Sequence, residues 1–161
     1  MPRLFLFLLL CTLLIAGPAK AWSPPGCDFN MATPAQVQTQ NLTLDAKHAL
    51  AFTSRGLLAP KTIYGIKANI MKVSCLDYGA SLSEKQLKQD FQAQLEINAK
   101  EKGIRDWRTR GLSAFGSGVQ NGEKFYLAIF YGPSSQLVII VIKDKRLFDQ
   151  MSESVRLKRK Q

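Results

Sequence analysis

Asn121-Gly122, set between two strand-like runs, constrains this chain more than any other short feature. Both residues accept positive φ, and a two-residue turn of that kind makes the flanking strands pair antiparallel. The runs are Asp106–Phe115 before it and Glu123–Tyr131 after it. Gly132-Pro133-Ser134-Ser135 then makes a second tight connection into Gln136–Lys143, so the spacing predicts a three-stranded antiparallel meander. Phe125–Phe130 and Leu137–Ile142 are apolar without a break, which places both strands in the middle of the sheet rather than at a wet edge.

Two helices flank this meander in the sequence. Ser81 with Glu84 and Ser83 with Gln86 each have capping-box spacing; Leu87, Phe91 and Leu95 recur every four residues, and Gly103 stands where a left-handed C-terminal residue is expected. This predicts an amphipathic helix over Ser81–Lys102 lying on the sheet. A second helix is predicted from Lys145 to about Lys158, with Leu147, Met151 and Val155 as its apolar stripe. Upstream, Cys27, Phe29 and Met31 alternate with Asp28 and Asn30, the period of a half-buried strand. Val37–Thr53 reads as two short strands, although Ala46–Ala51 would also suit a helix. Tyr64–Leu76 reads as one long strand with both faces covered. The expected fold is α+β, an antiparallel sheet of about five to six strands with two helices packed against it.

The first residues bear on location. Met1-Pro2-Arg3 precedes an apolar run from Leu4 to Ala16; Gly17-Pro18 follows, and then Ala19-Lys20-Ala21 supplies small residues at both positions that a signal peptidase reads. Residues 1–21 are therefore expected to be a signal peptide cut after Ala21, leaving Trp22 as the mature N-terminus, an irregular lead-in over 22–26, one domain over 22–161 and a basic tail over 158–161. The apolar stretch is shorter than the ~20 residues that span a bilayer. The expected location is periplasmic or secreted, and because the signal looks bacterial the sequon Asn41-Leu42-Thr43 is not expected to carry sugar.

Of the three cysteines, Cys11 leaves with the signal peptide. Cys27 and Cys75 remain, an even pair most simply read as a disulfide in an oxidising compartment. Without a Cys-x-x-Cys spacing, a redox role is not expected. The formal charge of +10 falls by two when Arg3 and Lys20 are removed. A balance that positive favours acidic partners, here an envelope protein or an anionic envelope component rather than nucleic acid.

The opening Cys-Asp-Phe-x-Met-x-x-Pro at Cys27–Pro34, the strand ending in Cys75, the helix at Ser81–Lys102 and the closing meander with its helix resemble, in element order, the small exported PsbP/DcrB-like domains. That resemblance implies a fold and no shared catalytic site.

Residues that carry chemistry are sparse. His48 has no partners at metal-ligand spacing, no metal or cofactor is expected, and the pairs Asp28 with Asp77 and Glu96 with Glu101 are the remaining acid–base candidates. Gly116-Ser117-Gly118 reads as a flexible connection. The candidate ligand-binding residues are basic: Arg105, Arg108 and Arg110 around Trp107, and Arg156, Lys158, Arg159 and Lys160 at the end of the chain. Alternation places Arg108 and Arg110 together on the face opposite Trp107, an arrangement suited to phosphate or sugar-acid groups. The leading expectation is a non-catalytic binding or accessory protein. The alternatives are an envelope enzyme built on His48 and an acid, and a secreted or immunity-type factor that binds one specific protein.

Overall fold

The computed structural model describes residues 19–159; the expected signal peptide before Ala19 and the candidate residue Lys160 lie outside them. The chain builds one seven-stranded antiparallel sheet with layers on both faces. Its strands are β3 (Gln38–Thr43), β4 (Thr62–Ala68), β5 (Met71–Asp77), β6 (Arg108–Arg110), β7 (Ser113–Gln120), β8 (Glu123–Tyr131) and β9 (Ser135–Ile142), in the spatial order β3-β4-β5-β9-β8-β7-β6. The meander is present as β7-β8-β9, and β8 and β9 are central as expected. Asn121 takes a φ of 52° and Gly122 one of 77°, the left-handed pair that the turn requires.

Alternation sorts the side chains of the central strands to two faces. Val73, Cys75, Leu137, Ile139 and Val141 point to one face, where they form a core with Phe29, Phe148 and Met151. Two elements cover it: helix α3 (Lys145–Ser154), and a small antiparallel sheet of β1 (Lys20–Trp22), β2 (Phe29–Thr33) and β10 (Arg156–Leu157) in the order β1-β2-β10. The disulfide Cys27–Cys75 joins the lead into β2 to β5 across this core. The expected cut after Ala21 falls inside β1 and leaves Trp22 opposite Met31. Leu127, Ile129 and Tyr131 point to the other face, where helix α2 (Glu84–Lys102) packs through Phe91. Ser83 and Gln86 close the capping box and Gly103 ends the helix with a φ of 66°, so the start is at Ser83 rather than Ser81.

Several expectations require correction. The sheet has more strands than five to six, and there are three helices rather than two. In Val37–Thr53 only β3 is extended; helix α1 (Ala46–Thr53) follows because Asp45 caps it by accepting from the His48 backbone N–H at 2.8 Å. The run Tyr64–Leu76 is a hairpin, with Ala68 opposite Met71 across an Asn69-Ile70 turn. That turn uses no positive φ, so no glycine punctuates it. The first strand pairs with β1 and β10, partners not read from the sequence, while the disulfide holds its lead-in close to β5 as expected. Gly116-Ser117-Gly118 lies inside β7 and is no loop. A Cβ at Gly116 would stand 2.5 Å from Ile104 and 2.9 Å from the Trp107 ring, and one at Gly118 would stand 2.7 Å from Phe125, so both glycines admit large side chains against the sheet. The last helix stops at Ser154, and Arg156–Leu157 returns as a strand on Phe29–Asn30.

Candidate functional site

The basic residues singled out above fall in two separate places. Arg105 is exposed between α2 and β6, and Arg108 and Arg110 are exposed on β6, the edge strand of the large sheet. Arg108 stands opposite Phe115, which packs with the α3-side core, whereas Trp107 packs with the α2-side cluster. The second group lies on the small sheet. Arg156 is exposed and its Nη1 donates to the carbonyls of Glu153 at 2.6 Å and Val155 at 2.8 Å. Lys158 is anchored: its backbone N–H donates to the Asp28 carbonyl at 2.7 Å and its Nζ to the Pro24 carbonyl at 2.6 Å. Burial holds the Lys158 amine below the usual lysine range, opposed by the nearby Asp28 carboxylate. Arg159 is exposed.

The acid–base candidates are occupied elsewhere. His48 sits on the open side of α1, its side chain 54% exposed and its Nδ1 within 2.7 Å of Asp45 Oδ1. Asp28 accepts from the backbone N–H and hydroxyl of Ser134 at 2.7 and 2.9 Å and from the Ser135 hydroxyl at 3.0 Å, tying the start of β2 to the β8–β9 turn. Asp77 accepts from the Gly79 N–H at 2.7 Å. Glu96 accepts from Gln92 and Glu101 pairs with Arg55. Among the described residues no three His, Cys, Asp or Glu side chains cluster as a metal site would need, and no helix is long and apolar enough to cross a membrane.

A different site emerges between α2 and the sheet. Helix α2 packs along β7 and β8 and leaves the α2-side face of β5 and β9 partly uncovered, so a cleft of about 270 Å³ remains. Its roof is the stripe Gln94, Ile97, Asn98, Glu101 and Lys102, which the i, i+3, i+4, i+7, i+8 spacing gathers on one face of α2. Its floor is made of three rungs of the sheet. Leu76 stands opposite Gln136, then Ser74 opposite Val138, then Lys72 opposite Ile140, with Ile129 and Leu127 beside the last two on β8. Phe52, Arg55 and Leu57 wall the side toward α1. The Arg55–Glu101 ion pair joins that wall to the roof, with both side chains substantially exposed.

At one end of the cleft lies a buried polar network. Asp90, 3% exposed, accepts from the Leu58 N–H at 2.7 Å, from the Tyr78 hydroxyl at 3.3 Å and from the Tyr131 hydroxyl. Burial, then the neighbouring Asp90, pushes the Tyr78 phenol well above its usual range; Tyr131 is pushed the same way by burial, Tyr78 and Asp90. The one proton of the Tyr78 hydroxyl is shared between Asp90 and Gln136 Oε1, 3.2 Å away, and the amide nitrogen of Gln136 is turned away from the network. That nitrogen has no hydrogen-bond partner, although Gln136 is fully buried. Of the three buried polar side-chain atoms left unpartnered among the described residues, Trp107 Nε1, Gln136 Nε2 and Ser152 Oγ, only that of Gln136 belongs to the cleft lining. An unmade hydrogen bond of this kind costs roughly 1–3 kcal/mol. None of Gln136, Asp90, Tyr78 and Tyr131 was singled out from the sequence. The one signal was a glutamine opening an otherwise unbroken apolar strand.

Neither the protein-family models nor the curated proteins compared with this chain match it. Among solved structures, cyanobacterial PsbP (CyanoP) from Synechocystis sp. PCC 6803 aligns with 91% of this chain and 96% of its own, at a TM-score of 0.41 and 7% identity. This is a weak PsbP-like resemblance, and the chemistry of the cleft rests on its own residues.

Proposed function

We propose that this chain is an exported, non-catalytic binding or accessory protein, periplasmic or secreted, whose ligand site is the cleft between α2 and the sheet. The observation that carries this reading is the buried amide of Gln136, a residue of the cleft lining, held by Tyr78 with its donor left unmade. A protein that only needed a core would fill that position with leucine; a binding protein keeps a donor there for an incoming acceptor. The export component is supported by the N-terminal apolar run ending in Ala19-Lys20-Ala21 and by the Cys27–Cys75 disulfide, which fits an oxidising compartment. Arg108 and Arg110, exposed on the edge strand, supply a separate basic surface for an anionic envelope component.

Titration of the exported protein with anilinonaphthalene sulfonate, an apolar anionic dye, tests the site. Saturable binding is expected to one site, lost in Ile140→Trp, which fills the cleft, and kept in Arg108→Glu with unchanged near-UV circular dichroism. Absence of saturable binding, or binding indifferent to Ile140→Trp, overturns the reading. Mass spectrometry of the same preparation is expected to give Trp22 as the first residue and no free thiol.

A further inference from the structure

The geometry points to a particular class of ligand for this cleft: a slender, mostly aliphatic molecule with a neutral carbonyl at one end and an anionic group at the other. This rests on the cleft being the binding site, and it follows from how the three rungs are ordered.

The first rung sets the carbonyl. Gln136 Nε2 is a donor, so its partner must accept; because Gln136 is fully buried the site is dry, and the ligand's end reaches it by parting the side chains at the closed end of the cleft. Gln136 Oε1 is bonded to the Tyr78 hydroxyl, which in turn lies 3.3 Å from Asp90 Oδ2. A carboxylate placed against Nε2 would share a low-dielectric interior with the Asp90 carboxyl group one side chain away; a ketone, ester or amide oxygen accepts the same bond without that repulsion. The second rung is narrow and mainly apolar, with Val138 and Ile129 flanking Ser74, and it suits methylene groups.

The third rung sets the anion. Lys72 stands opposite Ile140, four residues along β9 from Gln136, about 13 Å at the rise of a strand. Lys102, near the C-terminal end of α2, lines the same cleft. Neither lysine makes an ion pair among the described residues, and the nearby acid Glu101 is engaged by Arg55. The cleft thus offers a neutral donor at its dry end and two cations at its wet end. Its volume, just below the ~300 Å³ lower bound of ordinary small-molecule sites, limits the ligand to a single extended chain.

Three twelve-carbon probes separate the contributions by displacement of the dye: monomethyl dodecanedioate (ester carbonyl and carboxylate), dodecanoate (carboxylate alone) and methyl dodecanoate (ester alone). The monoester is expected to bind about tenfold more tightly than either of the others, the advantage of one well-placed hydrogen bond or charge. Gln136→Met, close in volume, removes the advantage over dodecanoate; Gln136→Leu serves as the second variant should the first fold poorly. Lys72→Gln combined with Lys102→Gln removes the advantage over methyl dodecanoate. The assignment is overturned if the monoester binds Gln136→Met as tightly as the unaltered protein, or if no probe displaces dye that is itself bound in the cleft. The latter result leaves the cleft as a binding site of another ligand class, whereas failure of the dye to bind removes the site itself.

Discussion

The two faces of the central sheet are built from the same alternating strands, yet they are finished differently. On the α3 side, Val73, Cys75, Leu137, Ile139 and Val141 are all fully buried, and Phe29, Phe148, Met151 and the disulfide close over them. On the α2 side, the neighbouring residues Val138 and Ile140 are only half-buried, a cleft is left, and polar groups are drawn inside. One face buries an unbroken apolar row under a covalent staple; the other keeps a cleft and a buried carboxyl–phenol network. The contrast teaches that the stapled apolar side can stabilise the fold while the α2 side carries buried polar atoms.

The largest test of that contrast is the staple. Replacing Cys27 and Cys75 together by serine is expected to lower unfolding free energy by roughly 4 kcal/mol, from the loop closed over a sequence separation of 48, with denaturant melts as the measurement. A loss below about 1 kcal/mol would break the idea that the α3 side is the stabilising one. Next come two substitutions one residue apart. Ile139→Ala, on the packed face, is expected to cost about 3 kcal/mol, and Ile140→Ala, on the cleft, near 1 kcal/mol, because truncation there enlarges existing space instead of opening a new cavity. Equal costs would mean that the two faces are packed alike.

The tyrosines sharpen the comparison by pH. The sequence has four, and the phenols of Tyr78 and Tyr131 are raised by burial and by Asp90. A raised phenol contributes stability that is complete below the unfolded value near 10 and is lost as pH rises beyond it, because the unfolded chain ionises first. Phenolate absorbance is therefore expected to report Tyr78 and Tyr131 only together with unfolding above that pH, with the Tyr78→Phe and Tyr131→Phe variants assigning the signal. Reversible ionisation of Tyr78 and Tyr131 without unfolding would show that the network at the closed end of the cleft is open to water.

The meander and the start of helix α2 were legible in the sequence, and the polar network at the end of the cleft was not. Asn121-Gly122 marks the meander's first turn because the turn needs positive φ, and Ser83 with Gln86 marks the helix start because free backbone donors need partners. Asn69-Ile70 turns with ordinary φ, so no glycine or other punctuation betrays it. Helix α1 was misread as extended because its signal is a single cap, Asp45, and it buries none of its residues. The cleft escaped for a different reason. Asp90, Tyr78 and Gln136 are 12 and 58 residues apart, counted from Tyr78; the β5–β9 pairing brings Tyr78 to Gln136, and the α2 crossing adds Asp90. The sequence expectation went instead to the arginines, whose charge is visible without a fold.

The smallest expected effect separates the two faces most cleanly. Gln136→Leu deletes a buried donor that has no partner and an acceptor used by Tyr78, whose hydroxyl still has Asp90 within 3.3 Å. Relief of the unmade bond, roughly 1–3 kcal/mol, offsets loss of the made one, about 1 kcal/mol, and leucine adds apolar contact with Val138 and Leu76. The net change in unfolding free energy is therefore expected to lie within about 1 kcal/mol of zero or on the stabilising side, while dye displacement by the monoester weakens. A loss of 2 kcal/mol or more would mean that the amide is already satisfied in the folded protein, and the case for an incoming acceptor would fall with it. A neutral or stabilising result together with weakened binding would identify Gln136 as a residue kept for the ligand at the expense of the core, because no requirement of folding then explains a glutamine in the middle of an apolar sheet.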